Sequence, residues 1–251
     1  MNEAQEKGIC YLVGAGPGDL GLVTLKAKEC IEKCDVLVYD ALSSAELVGW
    51  AKKGCELIFA GKRAADHAIP QDQINAIIVE KTLQGKVVTR LKGGDPMIFG
   101  RGGEEAAELA EAGVRFEIVP GISSTIAGPA YAGIPVTHRD HCSQLTIFTG
   151  HEDPTKGETS LDFAQLAKTP GTKVFVMGVS RLRGICAEFI KGGGSSRNAD
   201  CADPVGDDWK ASNGSGDARD DCGRGGGEEI QVAGRRCHWQ CGEGEGEDQL
   251  V

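Results

Sequence analysis

The chain has 251 residues, 40% of them apolar and 25% charged, enough for one or two domains with cores of their own. Its 37 acidic against 27 basic side chains leave a net charge of −10, which argues against nucleic acid as a partner. No apolar run approaches the ~18 to 20 residues of a membrane span, and the start MNEAQEKG lacks a signal peptide's apolar core, so the expectation is a cytoplasmic protein away from the membrane.

Taken in order, ICYLVGAG (Ile9 to Gly16) reads as a strand and Leu22 to Lys33 as a helix. DVLVYD is a second strand, Ala45 to Lys52 a helix, CELIFAG a third strand and Gln71 to Gln84 a helix. KVVTRL is a fourth strand by its β-branched content, and GRGGEEAAELAEAG (Gly100 to Gly113) a helix closed by a glycine. A strand near Phe116 to Val119 ends this first unit, residues 1–119, an α/β domain with a mostly parallel sheet. From Pro120 to Lys191 a smaller α/β unit follows: a helix over Ser123 to Ala132, strands at Gln144 to Thr149 and Lys173 to Met177, and a helix over Arg181 to Lys191.

Two glycine turns follow strands. GAGPGD (Gly14 to Asp19) invites a dinucleotide reading, but it departs from G-x-G-x-x-G, and Asp19 disfavours a phosphate beside the next helix. In RLKGGDPMIFGRGGEE (Arg90 to Glu105), Gly93 and Gly94 let the backbone approach a ligand and Pro96 stiffens the exit. Asp95 suits a bound ammonium or caps the turn it begins. Ser123 and Ser124 are suited to cap the helix that they open. Cys10, Cys30, Cys34, Cys55, Cys142 and Cys186 fall in strand or helix patterns without metal spacing and read as free thiols. His67, His138, His141 and His151 form no recognised ligand spacing, so no metal is expected.

YLVGAGPGDLGLVTLKA, DVLVYDALSS, FAGKRAADHAIPQDQIN, RLKGGDPMIFGRGGEE, VPGISS and AGIPVTHRD occur in one order and spacing that resembles the tetrapyrrole methylase family over roughly residues 8 to 191. The resemblance implies a two-domain fold with a mixed second sheet, binding S-adenosylmethionine between the domains. Pro17, Gly93, Gly94, Asp95, Ile98, Ser123, Ser124 and Met177 match the family's cofactor positions. Asp40 matches its proton acceptor and Lys62 its proton donor. A carboxylate placed to take a proton from a methylated pyrrole is worth roughly 10² to 10⁴-fold.

The implied reaction is the transfer of two methyl groups in turn from S-adenosylmethionine to carbons 2 and 7 of uroporphyrinogen III, giving precorrin-2 for sirohaem and cobalamin-type pathways. The family implies a homodimer. The eight carboxylates of such a substrate call for a cationic rim, for which Arg63, Arg90, Arg101 and Arg139 are candidates. Three other readings stay open: a family member acting on a later cobalamin precursor, diphthine or ribosomal RNA; an inactive remnant; and a dinucleotide-dependent oxidoreductase resting only on GAGPGD.

Composition breaks at Gly192. Of the sixty residues from there to Val251 fourteen are glycine, and the only Val, Ile, Leu, Met or Phe are Val205, Ile230, Val232, Leu250 and Val251. Such a segment cannot offset its ordering entropy by burial, so no order is expected in it. A back-translation of CHWQCGEGEGEDQL (Cys237 to Leu250), read one base later, permits VIGNVVKVREKIN, and the same offset runs back to Gly192 without a stop. The expectation is one extra base near the codons for Lys191 and Gly192, leaving the second sheet incomplete; the metal-like CHWQC is then a product of the shifted frame.

Overall fold

A computed structural model describes residues 8–61, 69–150, 159–178, 181–193, 228–232 and 235–239. They divide into two compact units, with the boundary between Ser124 and Thr125.

The first unit alternates strand and helix: β1 (Ile9–Gly14), α1 (Leu25–Lys33), β2 (Val36–Tyr39), α2 (Ala45–Gly49), β3 (Glu56–Phe59), α3 (Gln71–Leu83), β4 (Val87–Lys92), α4 (Gly102–Glu111) and β5 (Arg115–Val119). All five strands are parallel, in the order β3-β2-β4-β1-β5. The central strands are buried on both faces, as a parallel sheet clothed by helices requires. On one face Val13, Leu37 and Leu91 pack with Ala27, Ile31 and Leu47; on the other Leu12, Val36, Val38 and Val88 pack with Ile74, Ile78 and Leu109.

Caps set several helix starts. Thr24 accepts from the Ala27 N–H at 3.1 Å and Ser44 from the Leu47 N–H at 3.3 Å, each meeting a donor that the first turn leaves unpaired. Asp19 accepts from the Gly21 N–H at 2.7 Å and opens a 3-10 turn, Leu20–Leu22. That turn delays α1, expected from Leu22, to Leu25.

The chain continues with α5 (Ser124–Tyr131), β6 (Leu145–Thr149), α6 (Phe163–Lys168), β7 (Thr172–Val176) and α7 (Leu182–Lys191). β6 and β7 pair in parallel. Four phenylalanines hold this part of the second unit together: Phe148 lies 5.7 to 6.4 Å from the rings of Phe163, Phe175 and Phe189, edge-on to Phe163 and tilted against the other two. The sequence reading had no counterpart of α6. Its single turn and a half carries little periodicity, and its one local signal is Asp162, whose carboxylate caps the Gln165 N–H at 2.8 Å. In the stretch from Gly192, expected to lack order, the described residues include β8 (Glu228–Val232) and β9 (Arg235–Trp239), an antiparallel pair. The rest of that stretch beyond Gly193 lies outside the described residues, apart from this pair.

Candidate active site

Three loops meet at the carboxyl ends of β1, β4 and β5, and the contacts of their glycines with one another are backbone on backbone. Gly16 N–H donates to Gly94 O at 3.1 Å and Gly94 N–H donates to Gly16 O at 2.7 Å, both residues having positive φ (77° and 65°). Gly14 and Gly121 lie so close that a Cβ on Gly14 would stand 2.5 Å from the Gly121 Cα, and one on Gly121 would stand 2.2 Å from Gly94 O. Only residues without a side chain permit that approach. In open parallel sheets, the carboxyl end of the strands is where ligands bind.

Asp95 fastens these loops. One of its carboxylate oxygens accepts from the Met97 N–H at 2.8 Å and the other from the Gly121 N–H at 3.0 Å, with the residue buried. Of the two roles open to Asp95 on sequence, the turn-capping one is directly visible, extended by a tie to the loop after β5. Ser123, on that loop, is buried, and the Cα of Ser123 lies 3.8 Å from where a Gly94 Cβ would be. Ser124 is the first residue of α5. Ile98 is exposed in the turn after Asp95, and Pro17 is half-buried beyond Gly16.

A second feature lies beneath the same strand ends, on the face covered by α3 and α4. Arg90 and Lys92 alternate onto that face of β4, and both are almost fully buried. Glu105, in the first turn of α4, has 0% exposure and takes both cations on one oxygen: Oε1 lies 3.1 Å from Arg90 Nε and 2.7 Å from Lys92 Nζ. The Gln71 amide of α3 donates to the same oxygen at 3.0 Å and to Asn75 Oδ1 at 2.9 Å. Burial, then the neighbouring Arg90 charge, holds the Lys92 ammonium below the usual lysine range against the pull of Glu105. Arg90 also donates to Leu91 O at 3.0 Å, and its Nη2 lies 3.8 Å from Asp40 Oδ2.

Asp40 follows β2 directly, two residues past Val38, which is in register with Arg90. Its other oxygen accepts from the Leu42 N–H at 3.1 Å. The first unit therefore brings together Pro17, Asp40, Gly93, Gly94, Asp95, Ile98, Ser123 and Ser124 at one end of its sheet. Arg90 corrects the expectation of a rim cation: it is 3% exposed and its partners are protein groups, because its position on a central strand turns it under α4. Arg101 is exposed and grips Glu104 through two contacts of 2.9 and 2.7 Å. In the second unit Met177 is exposed just past β7 with a φ of 56°, and Arg139 is exposed. Lys62, Arg63, His67 and His151 lie outside the described residues.

The sequence reading missed Lys92 and Glu105. The available signal was two cations at i and i+2 on a strand otherwise made of Val, Thr and Leu, which requires a buried carboxylate from a neighbouring element. Among the described residues no three or more His, Cys, Asp or Glu side chains converge as a metal site.

Comparison with known proteins accords with this architecture. The profile of the tetrapyrrole (corrin/porphyrin) methylases matches residues 10–202. A protein of Methanosarcina barkeri named S-adenosyl-L-methionine-dependent uroporphyrinogen III methyltransferase is 52% identical over 186 residues, covering 74% of this chain and 73% of its own. The uroporphyrinogen-III C-methyltransferase of Bacillus subtilis is 50% identical over 190 residues, 76% of this chain; the match spans only 39% of that longer protein. The crystal structure of a Thermus thermophilus uroporphyrin-III C-methyl transferase complexed with S-adenyl homocysteine superposes with a TM-score of 0.63 at 36% identity, covering 76% of this chain and 75% of that one.

Proposed function

The chain belongs to the tetrapyrrole (corrin/porphyrin) methylase family, and from that premise we propose that it transfers methyl groups from S-adenosylmethionine to carbons 2 and 7 of uroporphyrinogen III, yielding precorrin-2. The observation that carries the reading is the loop assembly at the carboxyl ends of β1, β4 and β5, which offers close backbone to a ligand beside the carboxylate of Asp40. In each transfer the C–S bond to the methyl breaks as the C–C bond forms, the sulfonium keeps the electron pair, and the cationic tetrapyrrole then sheds a proton. Asp40 is the acceptor of that proton, and Lys62 takes the family's separate role of proton donor in this reading. Pro17, Gly93, Gly94, Asp95, Ile98, Ser123, Ser124 and Met177 hold S-adenosylmethionine. Asp95 serves by fixing the loops that face the ligand, and the positioned sulfonium turns a chance encounter into an in-line displacement. Arg63, Arg101 and Arg139 remain the rim cations for the substrate carboxylates.

The reading includes a homodimer in the cytoplasm. Its support is the family likeness, and among the described residues no helix is long and apolar enough to cross a membrane. The test is incubation with uroporphyrinogen III and S-adenosylmethionine under anaerobic conditions, followed by mass spectrometry. A gain of two methyl groups, lost in Asp40→Asn, is the expected result; an unmethylated tetrapyrrole overturns the reading.

One observation favours a second reading, a folded chain without activity: the family match ends at residue 202 of 251. Calorimetry with S-adenosylhomocysteine separates the two, since a chain that binds it retains the cosubstrate site.

A further inference from the structure

The face of the first sheet beneath the active end carries four charges that an ordinary core would exclude. Glu105, Arg90 and Lys92 are 0%, 3% and 4% exposed, and Asp40 stands at the edge of the group. Burying ions costs several kcal/mol each before pairing, and replacing such a group with apolar side chains is often neutral or stabilising. A fold that needed only packing here would have continued the Val36, Val38, Val88 and Leu109 cluster that fills the rest of this face. Geometry offsets part of that cost: Oε1 of Glu105 receives Arg90, Lys92 and Gln71 at 3.1, 2.7 and 3.0 Å, while Oε2 is buried without a hydrogen-bond partner.

The shared guanidinium has a direction. Its Nε is bound to Glu105 and its Nη1 donates to Leu91 O, which leaves Nη2 as the edge turned toward Asp40, at 3.8 Å rather than in hydrogen-bond contact. Among the described residues the charged groups that act on Asp40 are Arg90 and Lys92 from β4; Glu105 of α4 holds both of these cations, and Gln71 of α3, itself bonded to Asn75, is the neutral donor to the same Glu105 oxygen.

We infer that Glu105 is a positioning residue for the reaction: by holding Arg90 against α4 it sets the edge of the guanidinium 3.8 Å from Asp40, in ion-pair range but outside hydrogen-bond contact, so that the carboxylate keeps a cation beside it and its lone pairs free to accept a proton. The inference rests on the reading of Asp40 as proton acceptor. A fully closed Arg–Asp pair would occupy the lone pairs that the carboxylate needs to accept a proton, and a guanidinium drawn wholly to Glu105 would leave the carboxylate without a cation beside it. Glu105 sets a balance between the two.

The experiment is a carboxyl ¹³C NMR titration of the full chain, with the Asp40 signal assigned by its loss in Asp40→Asn. Glu105→Gln removes a negative charge and releases Arg90 toward Asp40, so the Asp40 titration midpoint falls by about one pH unit; Arg90→Gln raises it by about one. Should Glu105→Gln fail to fold, Arg90→Lys answers the same question. It retains the charge but cannot reach Glu105 and Asp40 together, so the midpoint rises if the fork positions the charge and stays put if only net charge matters. Midpoints unchanged in Glu105→Gln and Arg90→Gln, or in Arg90→Lys, overturn the inference. A parallel kcat measurement separates it from its premise. Glu105→Gln lowers kcat about tenfold with KM for S-adenosylmethionine unchanged. Midpoints that move while Asp40→Asn keeps full kcat leave the positioning intact and remove the proton-acceptor role.

Discussion

The carboxylate of Asp95 and the backbone N–H of Gly121 meet at 3.0 Å and tie the turn after β4 to the loop after β5. The other Asp95 oxygen holds the Met97 N–H, so Asp95→Ala leaves two backbone donors without their acceptor. We expect a loss of about 3 kcal/mol in urea unfolding. Asp95→Asn should be nearly as damaging, because its amide group turns a donor toward one of two donors. A loss below 1 kcal/mol in both variants, roughly that of an ordinary surface change, would show the tie to be incidental.

Gly14→Ala and Gly121→Ala should each cost about 3 kcal/mol or more and abolish S-adenosylhomocysteine binding, since the added methyl meets backbone atoms that cannot step aside. Gly103→Ala is the control. Nothing lies within 4 Å of a Cβ there and the residue is in the first turn of α4, so that variant should be neutral or gain ~0.5 kcal/mol. Thermal and calorimetric scans of the three proteins side by side check the contrast.

Burial, with the nearby Glu105 charge adding to it, pushes the Cys10 thiol up from 9.0 to about 12. The unfolded chain therefore ionises this thiol first as pH rises. The stabilisation it brings is complete below the unfolded value, then declines as pH climbs from about 9 to about 12. Unfolding free energies from urea titrations at about pH 8 and about pH 11 should show the gap between wild type and Cys10→Ala narrowing by an amount on the order of a few kcal/mol. A gap that stays constant with pH would exclude Cys10 as a source of alkaline instability.

The coding DNA across Ile190 to Ser196 should contain one base fewer in the source gene than this translation implies. Sequencing both strands checks it. A reading that matches the translation base for base removes the frameshift explanation of the glycine-rich stretch and favours the inactive reading of the chain.

Much of the first unit was legible because its strands and helices follow strong local rules: β-branched runs for β1, β2 and β4, and the glycine after α4. Asp40, Gly94 and Asp95 could be placed at strand ends by order alone. What order could not reveal was direction. Arg90 looked like any basic residue beside a glycine turn, and only the pairing of β4 with β1 and β2 on both sides turns it into the interior. Glu105 was hidden for the complementary reason: an acidic residue in a first helical turn is ordinary on sequence, and its partners lie 13 and 15 residues away on another element.

The double hydrogen bond between Gly16 and Gly94 also constrains how this molecule can vary. Loops at the end of a parallel sheet usually lengthen or shorten independently, which is how one scaffold acquires different pockets. Here the loops after β1 and β4 are laced to each other two residues beyond their strands, so an insertion before Gly16 or Gly94 would pull the lacing out of step. Diversity around this site is confined to segments beyond the knot, Pro17 onward in one loop and Pro96 onward in the other.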